Sequence, residues 1–267
     1  MRIDELLNVA LTEGIEVNGN EFVAYCIVVA EQYVDMPKVD PKALVLWNDV
    51  IEHNEKMLMK ILKSVNIEYT SNDPYKNQNE MMYDIIVNNR LQIFKTPSDD
   101  AHPGMTAFEN DIFRTVHDFI GHHLPNTKEF SKFLAKNNNK QNDEFRNFRF
   151  KRNNFTVRGE INTYISHGKL LPEKLRPVLF TEIIGQICTY FITNNFTENK
   201  VGIMNGIDFK KIGLFTDSNL EKRKMYYIEK LNDSGVNSFK TRLGKFDKDN
   251  IRWNLLSRGE GQVRKSN

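Results

Sequence analysis

Cysteine is scarce in this 267-residue chain, which contains only Cys26 and Cys188. With so few thiols, we do not expect a closed structural zinc site, because such sites are built largely from cysteines. Both cysteines lie in apolar, helix-like contexts, VAYCIVVA and GQICTYF. We therefore expect two reduced core residues in a cytoplasmic protein.

A strong charge imbalance and long apolar runs are also missing. The chain has 37 basic and 35 acidic residues, so its formal net charge is +2 and does not indicate a nucleic-acid partner. No uninterrupted apolar run approaches the ~18 residues that a membrane span needs. We expect a soluble protein with a small-molecule substrate and no membrane association. The sequence does not indicate an oligomeric state.

The spacing of apolar residues predicts a mainly α-helical fold with a small β element, a single compact domain around a buried His and carboxylate site. The expected helices cover residues 3–13, 21–34, a long segment from Asp40-Pro41, 81–87, 107–120, 127–136, 158–166 and 172–193. Strands are expected at 66–70 and 91–95. After Asn194 the pattern weakens. We divide this one globular unit into an N-terminal helical region with both strands (1–100), a helical metal-site region (101–255) and a flexible tail (256–267).

Histidine is concentrated in one part of the chain. Four of the six histidines lie within residues 102–123, and His117 and His122 bracket the segment HDFIGH, in which Asp118 follows the first. Imidazole is both the commonest metal ligand and the commonest acid-base group near neutral pH. We therefore interpret His117 and His122 as metal ligands and Asp118 as a catalytic group.

The geometry of a regular helix opposes this interpretation. Residues five apart diverge by ~140° on an ideal α-helix, so His117 and His122 would point apart. Gly121 disfavours a regular turn and Pro125 stops the helix, which lets a histidine in the last turn and one just past it converge on one ion. Alternatively, the two histidines face different sides and one caps the helix C-terminus.

A second group follows in the segment RGEINTYISH. Glu160 and His167 are seven residues apart and share one helix face within ~20°. Gly159 permits another backbone to approach closely. We expect Glu160 to supply the carboxylate ligand that the histidine pair lacks, with His167 as a catalytic neighbour. The alternative is an ordinary surface pair of Glu160 and His167.

A third group lies on the helix that covers residues 179–193, which is apolar on nearly all sides and should be buried. Glu182 and Gln186 are the first two residues of a single polar stripe along this helix. A buried carboxylate costs several kcal/mol unless it is paired or bound to a cation. We therefore predict that Glu182 and Gln186 are catalytic residues in the same cavity as the histidines. The alternative is a helix with one solvated edge.

The segment HDFIGHHLPNTKEFSKF resembles the iron-binding segment of the pterin-dependent aromatic amino acid hydroxylases. The resemblance implies that His117 and His122 bind a non-haem iron and that Glu160, at the matching spacing, completes a facial triad. This chain has Asp118 where that family has Glu. The family's pterin and substrate segments are not found here, so a pterin or other reductant is not assigned.

A longer pattern, DPY, HP, FRTVHDFIGH, RGE with a later His, and TE-x-x-GQ, is similar to a group of phage-encoded proteins of unclear role. Such a protein would act in the host cytoplasm. The resemblance implies one composite site formed by Tyr75, His102, Arg114, His117, Asp118, His122, Glu160, His167, Glu182 and Gln186.

Three functions follow from these residues. Two histidines, one carboxylate and open positions suit Fe(II) and oxygen activation, so we expect a non-haem Fe(II) oxygenase that hydroxylates an aromatic ring of an amino acid or nucleobase. A metal-dependent phosphohydrolase using Zn or Mn is the alternative. The third possibility is a non-enzymatic phage accessory or virion protein with a polar or metal-bound core.

Overall fold

The structure is a computed structural model that describes residues 19–97, 102–150, 155, 157–193 and 197–234. Within these residues the protein is mainly helical with one two-stranded sheet, which confirms the expected fold class. Its contacts divide the chain into two compact units, whose described parts are 48–175 and 19–47 with 176–234. The division differs from the expected boundary at residue 100. The predicted helix at 3–13 and the tail at 256–267 lie outside the described residues.

The elements follow the predicted order. The α-helices are α1 (Gly19–Asp35), α2 (Pro41–Ile61), α3 (Gln78–Asn88), α4 (Ala107–Val116), α5 (Thr127–Lys136), α6 (Asp143–Asn147), α7 (Val157–Gly168), α8 (Arg176–Phe180), α9 (Gln186–Thr193) and α10 (Ser218–Ser234). Two π-helices, π1 (His117–His123) and π2 (Thr181–Gly185), continue α4 and connect α8 to α9. Short 3-10 turns occupy Leu124–Asn126 and Glu173–Leu175. The strands are β1 (Asn66–Thr70) and β2 (Arg90–Phe94).

Local sequence signals explain several of these boundaries. The side chain of Asp40 accepts the backbone N–H of Lys42 at 2.9 Å, so Asp40 caps α2 as its position before Pro41 predicts. The Thr106 hydroxyl accepts the N–H of Glu109, and the Glu109 carboxylate accepts the N–H of Thr106, which forms a capping box at the start of α4. These caps fix where the helices that carry the site begin.

The first unit is built around a parallel strand pair. β1 and β2 pair in parallel, with Asn66 opposite Arg90, and α3 connects them. Apolar residues from α3, β2, α4, π1 and α5 form one buried cluster with this sheet. Helix α7 packs against π1. The histidine segment therefore has the apolar core on one side and α7 on another.

The second unit is built around α1, which packs against α9 and α10. Residues 22–30 of α1 are buried throughout. Helix α10 was not predicted, because its sequence SNLEKRKMYYIEKLNDS is dominated by charged and polar residues. Its buried positions include Lys224, whose ammonium donates to the Gly213 carbonyl at 2.9 Å. A lysine at a buried position hides the periodicity on which sequence prediction depends.

One helical stretch of the described residues, Glu173–Thr193, is long and apolar enough to cross a membrane. The sequence prediction did not identify it as a candidate span. In its most apolar window, 61% of the residues are buried inside the protein. A mostly buried apolar helix is typical of the core of a soluble protein.

Candidate metal centre

The chain between His117 and His123 is a π-helix, which corrects the expectation that the helix ends near Gly121. The N–H of Leu124 donates to the carbonyl of Phe119, five residues earlier. In a π-helix, hydrogen bonds join residues five apart, so such residues lie one above the other. The ring centroids of His117 and His122 are accordingly 5.0 Å apart. The two histidines converge because the helix widens, and Pro125 merely follows it.

Gly121 allows helix α7 to approach this widened turn. A Cβ atom added at Gly121 would lie 2.0 Å from the Cγ2 atom of Thr163, far inside van der Waals contact. Only a residue without a side chain fits there, and α7 carries Glu160 one helical turn before Thr163. The sequence predicted that Gly159 would be the residue that permits a close approach. In the structure Gly121 fulfils it from the opposite helix.

The approach of α7 places one carboxylate between two imidazoles. Glu160 Oε2 lies 3.2 Å from His117 Nε2, and Glu160 Oε1 lies 3.4 Å from His122 Nε2. The ligand atoms of Asp118, His117 and His122 all lie within 4.8 Å of one another. The exposed fraction of the side chain is 2% for His122 and 19% for Glu160. The predicted ligands His117, His122 and Glu160 are therefore brought together, with Asp118 beside them.

Hydrogen bonds identify the nitrogen of His122 that carries a proton. The hydroxyl of Thr163 donates to the carbonyl of Gly159 at 2.9 Å, so its oxygen can only accept from the ring of His122. That contact, 3.4 Å from His122 Nδ1, is long but within reach. With its proton on Nδ1, a neutral His122 presents the bare lone pair of Nε2 to the Glu160 carboxylate. Two acceptors facing each other at 3.4 Å need a cation or a proton between them.

The electrostatics keep the carboxylate charged. Burial alone would raise the pKa of Glu160. When a proton stands between the two side chains, the positive charge of His122 and the hydrogen bonds from His117 and His122 outweigh burial, so the pKa lies below its usual value. An ionised carboxylate is the form that binds a metal ion. The residue types, their convergence and the protonation of His122 fit a divalent metal ion held by His117, His122 and Glu160.

His167 is buried, so it is not half of a surface pair. Its Nε2–H donates to Asn54 Oδ1 at 3.1 Å, and its ring centroid lies 6.4 Å from that of His117. Burial, reinforced by the charge on His117, lowers the pKa of His167 to about 3. A neutral imidazole therefore stands next to the candidate ligands. Its separation from His117 fits a neighbour of the centre better than a ligand.

Other residues of the proposed composite pattern have contacts that stabilise the fold of the first unit. Tyr75 donates its hydroxyl to Asp84 at 2.9 Å. Arg114 donates to the Phe94 carbonyl at 3.3 Å, which ties α4 to β2. His102 is buried, and its Nδ1 accepts the backbone N–H two residues further on. These three residues of the pattern therefore have structural contacts that explain their presence without a catalytic role.

Glu182 and Gln186 belong to the second unit, at π2 and the start of α9. The amide of Gln186 donates to Glu182 Oε2 at 3.3 Å and also to the side chain of Asn199. Both side chains are half-buried. These contacts are all with residues of the second unit, so the catalytic role of Glu182 and Gln186 stays a prediction.

Sequence reasoning missed Thr163 and Asn54, which orient the rings of His122 and His167. Thr163 stands one helical turn after Glu160, which is a usable signal for a residue supporting the same site. Asn54 lies on α2, far from the motif, so nothing in the local sequence indicates it. Comparisons with protein-family models, curated proteins and solved structures found no match.

Proposed function

We propose that this protein is a metal-dependent enzyme, a non-haem Fe(II) oxygenase that hydroxylates an aromatic ring of an amino acid or nucleobase. The observation that supports it most is the convergence of His117 Nε2 and His122 Nε2 on the single carboxylate of Glu160. Two imidazoles and one carboxylate form the ligand set that Fe(II) oxygenases use, with positions left open for oxygen and substrate.

His117, His122 and Glu160 would hold the iron, which supplies oxygen activation when bound. Thr163 keeps the proton of His122 on Nδ1 and leaves Nε2 available. The ring of Phe155 stands edge-on to His122, with centroids 4.7 Å apart. An aromatic wall of this kind excludes water and offers an apolar surface to an aromatic substrate.

Asp118 supports a second candidate, a phosphohydrolase using Zn or Mn. Its carboxylate lies with both histidines in one group of possible ligands, within 4.8 Å. A second carboxylate ligand suits a metal ion that activates water for attack on phosphorus. In the oxygenase, by contrast, Asp118 would not be a metal ligand and would serve as a proton donor or acceptor.

A direct experiment separates the two candidates. Protein purified anaerobically is analysed for iron, zinc and manganese, then incubated with oxygen, ascorbate and a panel of aromatic amino acids and nucleobases. A parallel reaction with Mn(II) contains phosphate monoesters and diesters. The oxygenase proposal predicts iron and a product heavier by one oxygen atom, and neither in Glu160→Ala. Phosphate release without hydroxylation would favour the phosphohydrolase. If the protein contained no metal and gave neither product, both the oxygenase proposal and the phosphohydrolase proposal would be refuted.

We place the enzyme in the cytoplasm, and its thiols support this assignment. Cys26 and Cys188 are buried and are not joined by a disulfide, although their sulfur atoms are only 3.5 Å apart. A pair so close would readily form a disulfide in an oxidising compartment. Alkylation of freshly unfolded protein followed by mass spectrometry should find both thiols reduced.

A further inference from the structure

Two buried nitrogen atoms beside the metal centre have no hydrogen-bond partner among the described residues. They are Nδ1 of His117 and Nδ1 of His167. Buried polar atoms are paired in the large majority of cases, with protein or with water, so each such exception needs an explanation. Both rings flank Phe113, whose centroid lies 6.2 Å from His117 and 5.6 Å from His167.

The two nitrogen atoms have complementary hydrogen-bonding character once His117 binds a metal. His167 Nε2 carries a proton, because it donates to the carbonyl oxygen of Asn54, and so Nδ1 of a neutral His167 is a bare acceptor. A metal on Nε2 of His117 leaves the proton of that ring on Nδ1, which becomes a donor. A donor and an acceptor therefore lie on neighbouring rings.

The distance between the rings indicates what joins them. The centroids of His117 and His167 are 6.4 Å apart. Because a ring nitrogen lies only about 1.2 Å from its own centroid, the two Nδ1 atoms are at least about 4 Å apart, too far for a direct hydrogen bond. A separation of this kind leaves room for one bridging water between the two nitrogen atoms.

We propose that His167 is a positioning residue for the metal centre: a buried water accepts the Nδ1–H of His117 and donates to Nδ1 of His167, which Asn54 holds in the required tautomer. The proposal rests on the metal site of the proposed function. Metal-binding histidines almost always donate their second ring N–H, which fixes the ring and strengthens the ligand. Thr163 does this for His122, and the bridge does it for His117.

Three substitutions of His167 separate positioning from packing. In His167→Asn the amide oxygen lies near the former position of Nδ1, so the hydrogen-bond acceptor is kept. In His167→Gln the longer side chain reaches the former position of Nε2, so the acceptor at the Nδ1 position is lost. Phe keeps the ring shape alone. The probe is Co(II), titrated anaerobically into each full-length, metal-free protein, with thermal unfolding as the control for folding. We expect His167→Gln and His167→Phe to bind Co(II) about 10- to 100-fold more weakly, and His167→Asn to stay within about threefold of the wild type.

The outcomes are distinguishable. Equal affinity in the wild type and His167→Gln would overturn the positioning role and leave the metal site intact. Equal weakening in Gln and Asn variants would also overturn it, because retaining the acceptor would then have no effect. A wild type that binds no Co(II) would refute the proposed function and this inference with it.

A second measurement does not depend on variant folding. Nitrogen-15 NMR of the wild-type protein loaded with Zn(II) should show a histidine Nδ1–H of His117 that exchanges slowly with solvent, and an unprotonated Nδ1 for His167. A protonated Nδ1 on His167, or a fast-exchanging proton on His117, would overturn the bridge.

Discussion

The two π-helices of this protein share a construction and differ in what they bring together. Each contains a glycine, and a side chain from a neighbouring helix occupies the space where a Cβ atom would lie. An added Cβ would lie 2.0 Å from Thr163 at Gly121 and 2.4 Å from Tyr33 at Gly185. π-Helices are rare and occur frequently at functional sites. In both, the widened turn and the glycine let a neighbouring helix pack unusually close.

The polar groups around the two turns differ. At π1 the Nε2 atom of His122 faces the Glu160 carboxylate, so either a proton or a metal ion stands between them. At π2 the Glu182 carboxylate accepts a hydrogen bond from the Gln186 amide, which needs no cation. Both π-turns create close approach, and the hydrogen-bonding character of the surrounding residues makes only π1 a candidate metal centre.

The largest expected contrast is in metal affinity. His122→Ala should weaken Co(II) binding by more than about 100-fold, beyond the 10–100-fold that loss of a supporting residue typically causes. Gln186→Ala is the matched change next to π2, since it removes the amide that donates to Glu182, and it should leave the affinity unchanged. Anaerobic titration monitored by visible absorption measures both. A loss of affinity in Gln186→Ala would unite the two turns in one composite site, as the sequence motif implies.

Acid should destabilise the first unit through two buried histidines. Burial lowers the pKa of His123, and of His167, to about 3. The unfolded chain then binds more protons than the folded one between pH about 6.5 and 3, so stability falls as the pH decreases through this window. The slope should approach about 1.4 kcal/mol per pH unit for each histidine. Urea unfolding between pH 7 and 5, followed by circular dichroism, measures it.

His123→Phe is the matched variant for this experiment. It removes one titrating group, so the fall in stability between pH 7 and 5 should be roughly halved. An unchanged pH dependence would show that His123 does not contribute to it.

Alanine at each glycine compares the packing of the two turns. Gly121→Ala and Gly185→Ala should each destabilise the protein by about 1–3 kcal/mol, since each forces a neighbouring side chain to move. Only Gly121→Ala should also lose metal affinity, because Thr163 and Glu160 move together on α7. Adding Thr163→Ser to Gly121→Ala removes the clashing methyl and should recover part of both losses. Retained affinity in Gly121→Ala would separate the packing of α7 from the site.

Asp118→Asn should have the smallest effect on binding. If Asp118 is not a ligand, Co(II) affinity should fall by less than about tenfold, while the hydroxylation rate falls further because a proton-transfer group is lost. An affinity loss as large as that of Glu160→Gln would make Asp118 a ligand and favour the hydrolase.

Sequence reasoning succeeded where local chemistry decides the structure. The limits of β1 agree with the prediction, and Asp40 and Pro41 mark the start of α2. Residue type and spacing also indicated His117, His122 and Glu160, whose side chains lie together in the structure, while their binding of a metal stays a prediction. The sequence did not predict the π-helix between His117 and His123. Helical periodicity assumes about 100° per residue, and a π-helix departs from that angle. The packing of Thr163 on Gly121 is a tertiary contact that no local pattern reveals.

We infer that His117, His122 and Glu160 together bind one metal ion. X-ray absorption spectroscopy of the protein reconstituted anaerobically with Fe(II) tests it most directly. We expect one iron per chain with the outer-shell scattering of two imidazole rings, and no bound iron in the His117→Ala/His122→Ala double variant. Iron that binds with the same imidazole scattering in the double variant, or a wild type that binds none, would contradict it.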